Sequence, residues 1–408
     1  MFSLDRFYNI LHNNLISRFV NGRSVFFYPF GTYQQTSILD NHFDVLAKPF
    51  GPEKYWPAEQ TFFHTYFFDQ EPLYDYTLPI VRNAILNRKH FSKPSRIHIL
   101  ANSEKSEIKN QCVKQYDMYD WYYFFHGFAA LDWYRDFQYA NPTAFNQFDK
   151  VFICYNHLIS KYRSYRLHLV SNMIEQDLIK HGKVSLFLCD TNGTWKDTIE
   201  DSDIPLDNRA RVKIYHALKN LTQPLTIDTT SPSGSLSANV CLDDLTSALF
   251  HIVTETVYFQ NKLHLTEKVF KPIVAKRPFI LVAAPGNLAY LKSYGFKTFD
   301  RWIDESYDNE TDHYIRIEKI TAEINRLCNL SSEQLVRLHR EMQEILQHNF
   351  DHFYTTFKYT IVDELVDNFK NVLDQINQER TKENHGKFYQ QFELPKDYLE
   401  EVKKRLKQ

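Results

Sequence analysis

Short apolar runs with the composition of β-strands alternate with stretches of helical periodicity along this 408-residue chain. This alternation predicts parallel sheets with crossover helices, and therefore an α/β fold. In the first half, the predicted strands are Ser24–Tyr28, Thr61–Phe68 and Arg96–Leu100. Each is followed by a polar loop. Because open parallel sheets bind their ligands at the carboxyl ends of the strands, we expect functional residues in those loops.

A second α/β series follows a polar, proline-containing stretch at residues 140–150. Its predicted strands are Lys150–Tyr155, Val184–Cys189, Ala248–Thr254 and Pro278–Ala283.

Helical periodicity then dominates from about Thr311, and Ser332–Gln378 predicts one or two long helices. We therefore expect an N-terminal α/β domain over residues 1–148 and a second α/β domain over residues 149–330. A helical tail over residues 331–408 is expected to pack across both.

Composition excludes several function classes. A hydrophobic fraction of 43% and a charged fraction of 24% are those of a globular protein, and a net charge of −2 gives no global field for nucleic acid or anionic membranes. No apolar run is long enough to span a bilayer. Five widely spaced cysteines indicate a reducing compartment, so the sequence predicts a cytoplasmic protein.

The most informative segment begins at Thr266. Thr266 is a good N-cap for a predicted helix over Thr266–Ala275, with Glu267 and Lys268 in its first turn. The unpaired N–H groups and dipole of a helix start favour a phosphate. Lys268 adds a positive charge there, and Glu267 is suited to accept hydrogen bonds from ribose hydroxyls.

A Glu-Lys pair at a helix start, followed by a basic-proline step (Arg277-Pro278) into an apolar strand, resembles the donor-binding segment of GT-B-fold glycosyltransferases. It is most similar to the fucosyltransferase pattern, and it also resembles glycosyltransferase-like proteins of phages and marine viruses. The resemblance covers residues 150–310 well and the N-terminal half weakly. It implies two Rossmann-like domains facing a cleft, with long C-terminal helices. It also implies that Glu267 contacts the ribose and Lys268 the diphosphate.

A second segment carries the same resemblance. After the strand at Lys150–Tyr155 come Asn156, Arg163 and Arg166, similar to the fucosyltransferase-like arrangement of a loop asparagine and an arginine that binds the donor phosphates. Which arginine points inward stays open. Glu255 is a candidate for hydrogen bonding to the sugar, with a solvated loop glutamate as the alternative.

The resemblance implies that a catalytic base comes from the N-terminal domain. Glu71 and Asp69, at the end of an aromatic strand, are the first candidates, and His126, beside Gly127, is the second. Capping or turn formation is the structural alternative for each.

One basic run in the same domain contains Arg88, Lys89, Lys93 and Arg96 and no acid. It could contact a DNA backbone, and the alternative is a solvated helix end.

The sequence thus predicts a glycosyltransferase that moves a sugar from a UDP- or GDP-sugar co-substrate to a hydroxyl, inverting and without metal or a permanently bound cofactor. Its acceptor is a glycan or a modified DNA base such as 5-hydroxymethylcytosine. The only Asp-x-Asp, Asp201-Ser202-Asp203, does not follow an apolar strand, which argues against a metal-dependent diphosphate site. The alternative hypotheses are a non-catalytic nucleotide- or glycan-binding protein and a DNA-binding protein on the same fold.

Overall fold

The computed structural model describes residues 24–27, 63–68, 71–75, 97–139, 148–227, 240–383 and 404. The chain divides into two compact units: unit 1 contains residues 1–135 and 356–408, and unit 2 contains residues 136–355. The segment predicted as a separate tail, 331–408, is thereby divided. Its residues up to 355 belong to unit 2 and the remainder belongs to unit 1.

Unit 1 contains a four-stranded parallel sheet whose spatial order follows the chain. Its strands are β1 (Ser24–Phe27), β2 (Phe63–Phe68), β3 (Ile97–Asn102) and β4 (Met118–Tyr122). The three strands predicted in the first half are therefore present.

Two helices of unit 1 follow strands of this sheet. Helix α1 (Glu107–Gln115) comes after β3 and a two-residue strand at Lys105–Ser106, and Ser106 caps it by accepting a hydrogen bond from the backbone N–H of Lys109 at 3.2 Å. Helix α2 (Phe125–Trp133) follows β4, and every one of its residues is buried. A helix that is buried on all sides lies in the core of its unit.

Unit 2 contains a second four-stranded parallel sheet with the order β8-β7-β5-β6. Its strands are β5 (Lys150–Cys154), β6 (Gly182–Val184), β7 (Ala248–Thr254) and β8 (Phe279–Val282). Together the two sheets confirm the predicted α/β class.

The strand predicted at Val184–Cys189 ends early. After Val184 the chain leaves the sheet, and Leu186 pairs in antiparallel fashion with Leu225. Cys189–Asp190 then pairs with Gly193–Thr194 as a separate two-residue antiparallel ladder. An apolar run alone does not distinguish one longer strand from these two short pairings.

The described part of unit 2 also contains nine α-helices. They are α3 (Tyr165–Glu175), α4 (Trp195–Glu200), α5 (Asn208–Leu218), α6 (Leu242–Thr246), α7 (Phe270–Val274), α8 (Asn287–Ser293), α9 (His313–Cys328), α10 (Ser332–Glu341) and α11 (Gln343–Thr355). A further two-residue strand lies at Lys262–Leu263.

The last described helix, α12 (Phe357–Glu383), belongs to unit 1. It packs on β4, where the indole N–H of Trp121 donates to the carbonyl of Leu365 at 3.3 Å and the rings of Trp121 and Phe369 lie 4.6 Å apart. Three helices, α10 to α12, therefore occupy the stretch for which one or two were predicted.

Candidate functional site

The strand order of unit 2 reverses between β5 and β7. From β5 the chain moves to β6 on one side, then crosses back to β7 and β8 on the other. At such a reversal the loops leave in opposite directions and open a crevice at the carboxyl ends of the strands. Here those ends are Cys154 and Thr254, and the residues that follow them include Asn156 and Glu255.

Glu255 holds the start of the segment at Thr266. It is fully buried, and its Oε1 accepts a hydrogen bond from the backbone N–H of Thr266 at 3.2 Å while its Oε2 accepts from the Thr266 hydroxyl. Burial raises the pKa of Glu255, and the nearby charge of Lys268 and the bonds from Thr266 oppose this. Both carboxylate oxygens thus bind the protein itself, so the geometry gives Glu255 a positioning role.

The segment after Thr266 is not one regular α-helix. Glu267–Val269 forms a 3₁₀ turn that continues into α7. Pro272 has no N–H to donate to the carbonyl of Lys268, four residues earlier, so the first turn lacks a regular α-helical bond at that point.

Lys268 is the accessible member of this motif. Its side chain is 31% exposed, whereas that of Glu267 is 3% exposed. The Lys268 ammonium lies 3.1 Å from Glu267 Oε1 and 3.3 Å from the Thr266 hydroxyl. These two contacts hold the ammonium at the carboxyl edge of the sheet, where an anionic ligand would share it with the Glu267 carboxylate.

The two arginines differ in their surroundings. Arg166 is buried, and its guanidinium donates to the carbonyls of Leu158 at 2.9 Å, Thr254 at 3.1 Å and Glu255 at 3.2 Å. It therefore joins the loops that follow β5 and β7. Arg163 ends a 3₁₀ turn and is only partly buried, so it is the more accessible of the two.

Asn156 connects the ends of β5 and β6. Its backbone N–H donates to the Ser185 hydroxyl at 2.9 Å, and its side-chain amide donates to the Ser185 carbonyl at 3.1 Å. Its buried Oδ1 accepts no hydrogen bond from the residues that the structure describes, and neither does the Nε of Arg166 donate one. Two buried polar atoms at the strand reversal thus have no hydrogen-bond partner among the described residues.

Sequence reasoning missed Asp190, which shapes the loop after β5. Its carboxylate accepts hydrogen bonds from the backbone N–H groups of Ile159 and Ser160, both at 3.0 Å, and of Asn192 at 2.8 Å. Partial burial raises its pKa, but these bonds outweigh the effect and the pKa is lowered. The protein's own carboxylate therefore occupies N–H groups that could otherwise bind a phosphate.

A second internal carboxylate caps the helix after β8. Asp308 accepts from the backbone N–H groups of Leu288 at 3.0 Å and Ala289 at 3.3 Å, the first turn of α8. The Asp308 carboxylate therefore occupies the N–H groups at this helix start. Among the predicted donor-binding residues, the accessible cationic side chains are those of Lys268 and Arg163.

The predicted base candidates belong to unit 1. Glu71 follows β2 and His126 follows β4, so both lie beyond carboxyl ends of one parallel sheet. Glu71 is partly buried and His126 is buried. Asp69 and the basic residues lie outside the described residues; these are Arg88, Lys89, Lys93 and Arg96.

A charged cluster beside that sheet, between α1 and β4, was not predicted residue by residue. The buried ammonium of Lys109 lies 2.7 Å from Asp120 Oδ1 and 3.1 Å from the carbonyl of Glu104. Burial lowers the pKa of Lys109, and the charge of Asp120 acts in the opposite direction. The cluster borders an open groove of about 520 Å³. The sequence indicated only a polar loop at Ser103–Glu107, because Lys109 and Asp120 belong to different elements, α1 and β4.

Neither a metal cluster nor a transmembrane helix is present in the described part of the chain. No group of three or more histidine, cysteine or acidic side chains there could hold a metal ion. No helix there combines the length and apolarity needed to cross a bilayer. No protein-family model, curated protein or solved structure matches the chain.

Proposed function

We propose that the protein is a glycosyltransferase and that unit 2 binds its nucleoside-diphosphate sugar at the reversal of strand order. One observation carries the proposal: the segment from Thr266 to Lys268 is hydrogen-bonded to Glu255 at the end of β7, next to the reversal between β7 and β5. This is the position at which open parallel sheets bind nucleotides.

The charges at this edge suit a diphosphate. Lys268 offers a restrained ammonium, and Arg163 offers a planar guanidinium that can donate two hydrogen bonds to phosphate oxygens. Arg166, Glu255 and Asn156 hold the loops between them, so their contribution is positional. The GT-B arrangement of two domains about a cleft belongs to this proposal.

The proposed reaction forms a bond between an acceptor hydroxyl oxygen and the anomeric carbon of the sugar. The bond from that carbon to the diphosphate oxygen breaks, and the nucleoside diphosphate leaves with the electron pair. The hydroxyl proton passes to a base, for which Glu71, Asp69 and His126 are the candidates. Lys268 and Arg163 stabilise the departing negative charge, so the reaction needs no metal. The acceptor is a glycan or a hydroxymethylated DNA base.

The test is a thermal-shift titration with UDP, GDP, CDP and their sugars. A ligand that binds only the native state stabilises it by about 2.7 kcal/mol at a concentration of 100 Kd. We expect one nucleotide to raise the Tm of the wild-type protein and of Lys219→Ala, a variant at an exposed lysine after α5. We expect Lys268→Ala to lose most of that shift. A folded wild-type protein that no nucleotide stabilises would refute the proposal.

Turnover separates the transferase from a non-catalytic nucleotide-binding protein. A transferase releases the nucleoside diphosphate when the bound donor is supplied with glycans or hydroxymethylated DNA. A binding protein leaves the donor intact with every acceptor. DNA binding without chemistry would instead give an affinity that falls steeply with salt.

A further inference from the structure

Unit 2 contains a groove that the proposed donor site does not use. It has a volume of about 490 Å³ and lies among helices α3, α5 and α9. Four amide side chains line it: Asn172 from α3, Gln176 just after α3, Asn325 from α9, and Asn329 just after α9. Ala322, exposed on α9, leaves space between them.

The amides form a connected ladder across the groove. Asn325 Nδ2 donates to Gln176 Oε1 at 3.1 Å, and Asn329 Nδ2 donates to Asn325 Oδ1 at 2.6 Å. An amide side chain has two N–H donors and a carbonyl acceptor with two lone pairs. The ladder therefore retains both donor and acceptor capacity for a ligand.

Asn172 supplies an independent indication of a ligand. It is 1% exposed, and its Nδ2 donates to the Thr321 hydroxyl at 3.3 Å. Its buried Oδ1 accepts no hydrogen bond from the described residues. A buried acceptor without a donor is costly, and a rotation of the Asn172 side chain toward the groove, where its Oδ1 would accept from a ligand hydroxyl, would remove the cost.

The cations at the groove are already paired within the protein. Lys213 lies 3.2 Å from Glu175, and Arg326 lies 2.6 Å from Glu323. An anionic ligand would have to compete with those carboxylates and would also meet the carboxylate of the exposed Glu318, which lines the groove. The lining residues include no aromatic side chain on which a nucleobase could stack. Ala322 is the one apolar residue among them, so an apolar peptide side chain would have no hydrophobic pocket to fill. The remaining chemistry suits an uncharged, hydroxyl-rich molecule.

We propose that this groove binds a neutral saccharide through the amides of Asn172, Gln176, Asn325 and Asn329. Each sugar hydroxyl both donates and accepts, which matches the amide ladder, and a donated hydroxyl satisfies Asn172 Oδ1. Asn172, at the groove, lies six residues after Arg166 on α3. At a rise of 1.5 Å per residue, the groove is therefore roughly 9 Å from Arg166 along the helix. None of the residues that line the groove is among those proposed to bind the nucleotide, so the saccharide site is distinct from the nucleotide site and does not depend on it.

The test uses saccharides that carry no nucleotide. Saturation-transfer NMR with glucose, galactose, N-acetylglucosamine and lactose is measured on the full chain and on Ala322→Trp, which fills the groove from an exposed helix position. The control is Glu344→Trp, which places the same side chain on an exposed position of α11 that does not line the groove. We expect at least one saccharide to bind the wild type and the control, and Ala322→Trp to lose about tenfold or more in affinity.

A second variant covers the case in which Ala322→Trp does not fold. Asn329→Ala removes one exposed amide of the ladder and is expected to weaken binding severalfold. The proposal is overturned if none of these saccharides binds the wild type, or if both groove variants that fold bind as tightly as the control. Since no nucleotide is present, failure here is distinct from failure of the donor site at Lys268.

Discussion

Glu255 and Thr266 are joined by two hydrogen bonds, one from the Thr266 backbone N–H and one from its hydroxyl, although ten residues separate them. The pair connects the end of β7 to the start of the segment that carries Lys268. A buried carboxylate is costly unless hydrogen bonds compensate for its lost hydration. The position of Lys268 therefore depends on the Glu255–Thr266 hydrogen bonds, which also compensate for the burial of the Glu255 carboxylate.

Thr266→Val is expected to destabilise unit 2. The substitution keeps the shape of the side chain but removes the hydroxyl that donates to Glu255 and accepts from Lys268. We expect a loss of about 1–3 kcal/mol in the free energy of unfolding, measured by urea denaturation. The control is Thr355→Val at an exposed position of α11, which should change stability by less than about 0.5 kcal/mol. Equal effects of the two substitutions would contradict the role assigned to the pair.

The stability contribution of Glu255 should depend on pH. Burial raises its pKa above the ordinary value of 4.5, while the charge of Lys268 opposes the shift and that of Glu267 adds to it. Because the native state holds this proton more tightly than the unfolded chain, the contribution is fully present below pH 4.5 and is lost as the pH rises through the native pKa.

The measurement compares urea denaturation of the wild type and of Glu255→Gln at a series of pH values. The stability of the wild type relative to the variant should be greatest near pH ~4 and should decrease toward neutrality. Glu344→Gln, the same substitution at an exposed position, is the matched control. A difference that grows with pH would reverse the assigned sign and refute the interpretation.

A strand and a helix of unit 2 could be predicted from the sequence, because their apolar patterns depend only on residues that are neighbours in the chain. Ala248–Thr254 is an apolar run that is buried at every position, and the prediction of its bounds was confirmed. The helical periodicity predicted from about Thr311 likewise corresponds to α9, whose buried face contains Ile317, Ile320 and Ile324. Ile315, at the start of the same helix, is 46% exposed. These signals depend on neighbouring residues and are therefore visible in a sequence.

The remaining features depend on partners that are distant in the chain. Asp190 binds N–H groups about 30 residues away, and Asp308 caps a helix 20 residues earlier. Nothing near either residue in the sequence indicates those contacts. Likewise Arg163 and Arg166 look equivalent in the sequence. They differ in the structure because Arg166 donates to three carbonyls of the loops at the ends of β5 and β7.

The two arginines should respond differently to a conservative substitution. Arg166→Lys cannot reproduce a guanidinium that bonds three carbonyls, so we expect a loss of about 2–4 kcal/mol in the free energy of unfolding. Arg163→Lys, at a partly exposed turn, should cost less than about 1 kcal/mol. Thermal and urea denaturation of both variants provide the comparison. If Arg163→Lys proved the more destabilising, the positioning role given to Arg166 would be wrong.

Lys109 and Asp120 permit a test of unit 1 that does not depend on function. Asp120→Asn leaves the buried ammonium of Lys109 without its carboxylate at 2.7 Å. Because the Asp120 side chain is 40% exposed, solvent screens the pair, and we expect a loss of about 1–3 kcal/mol. Glu107→Gln, at an exposed position of α1, is the matched control and should have a small effect.

The deficit of Asp120→Asn should shrink as the pH rises. Burial already lowers the pKa of Lys109, so the native state holds this proton less tightly than the unfolded chain, and stability increases as the ammonium loses its proton. Lys109→Met in the Asp120→Asn background removes the buried charge altogether and should recover part of the lost stability. Urea denaturation of the two single variants and the double variant gives the coupling energy. If the loss in the free energy of unfolding of the double variant equalled the sum of the losses of the two single variants, the two side chains would not stabilise each other.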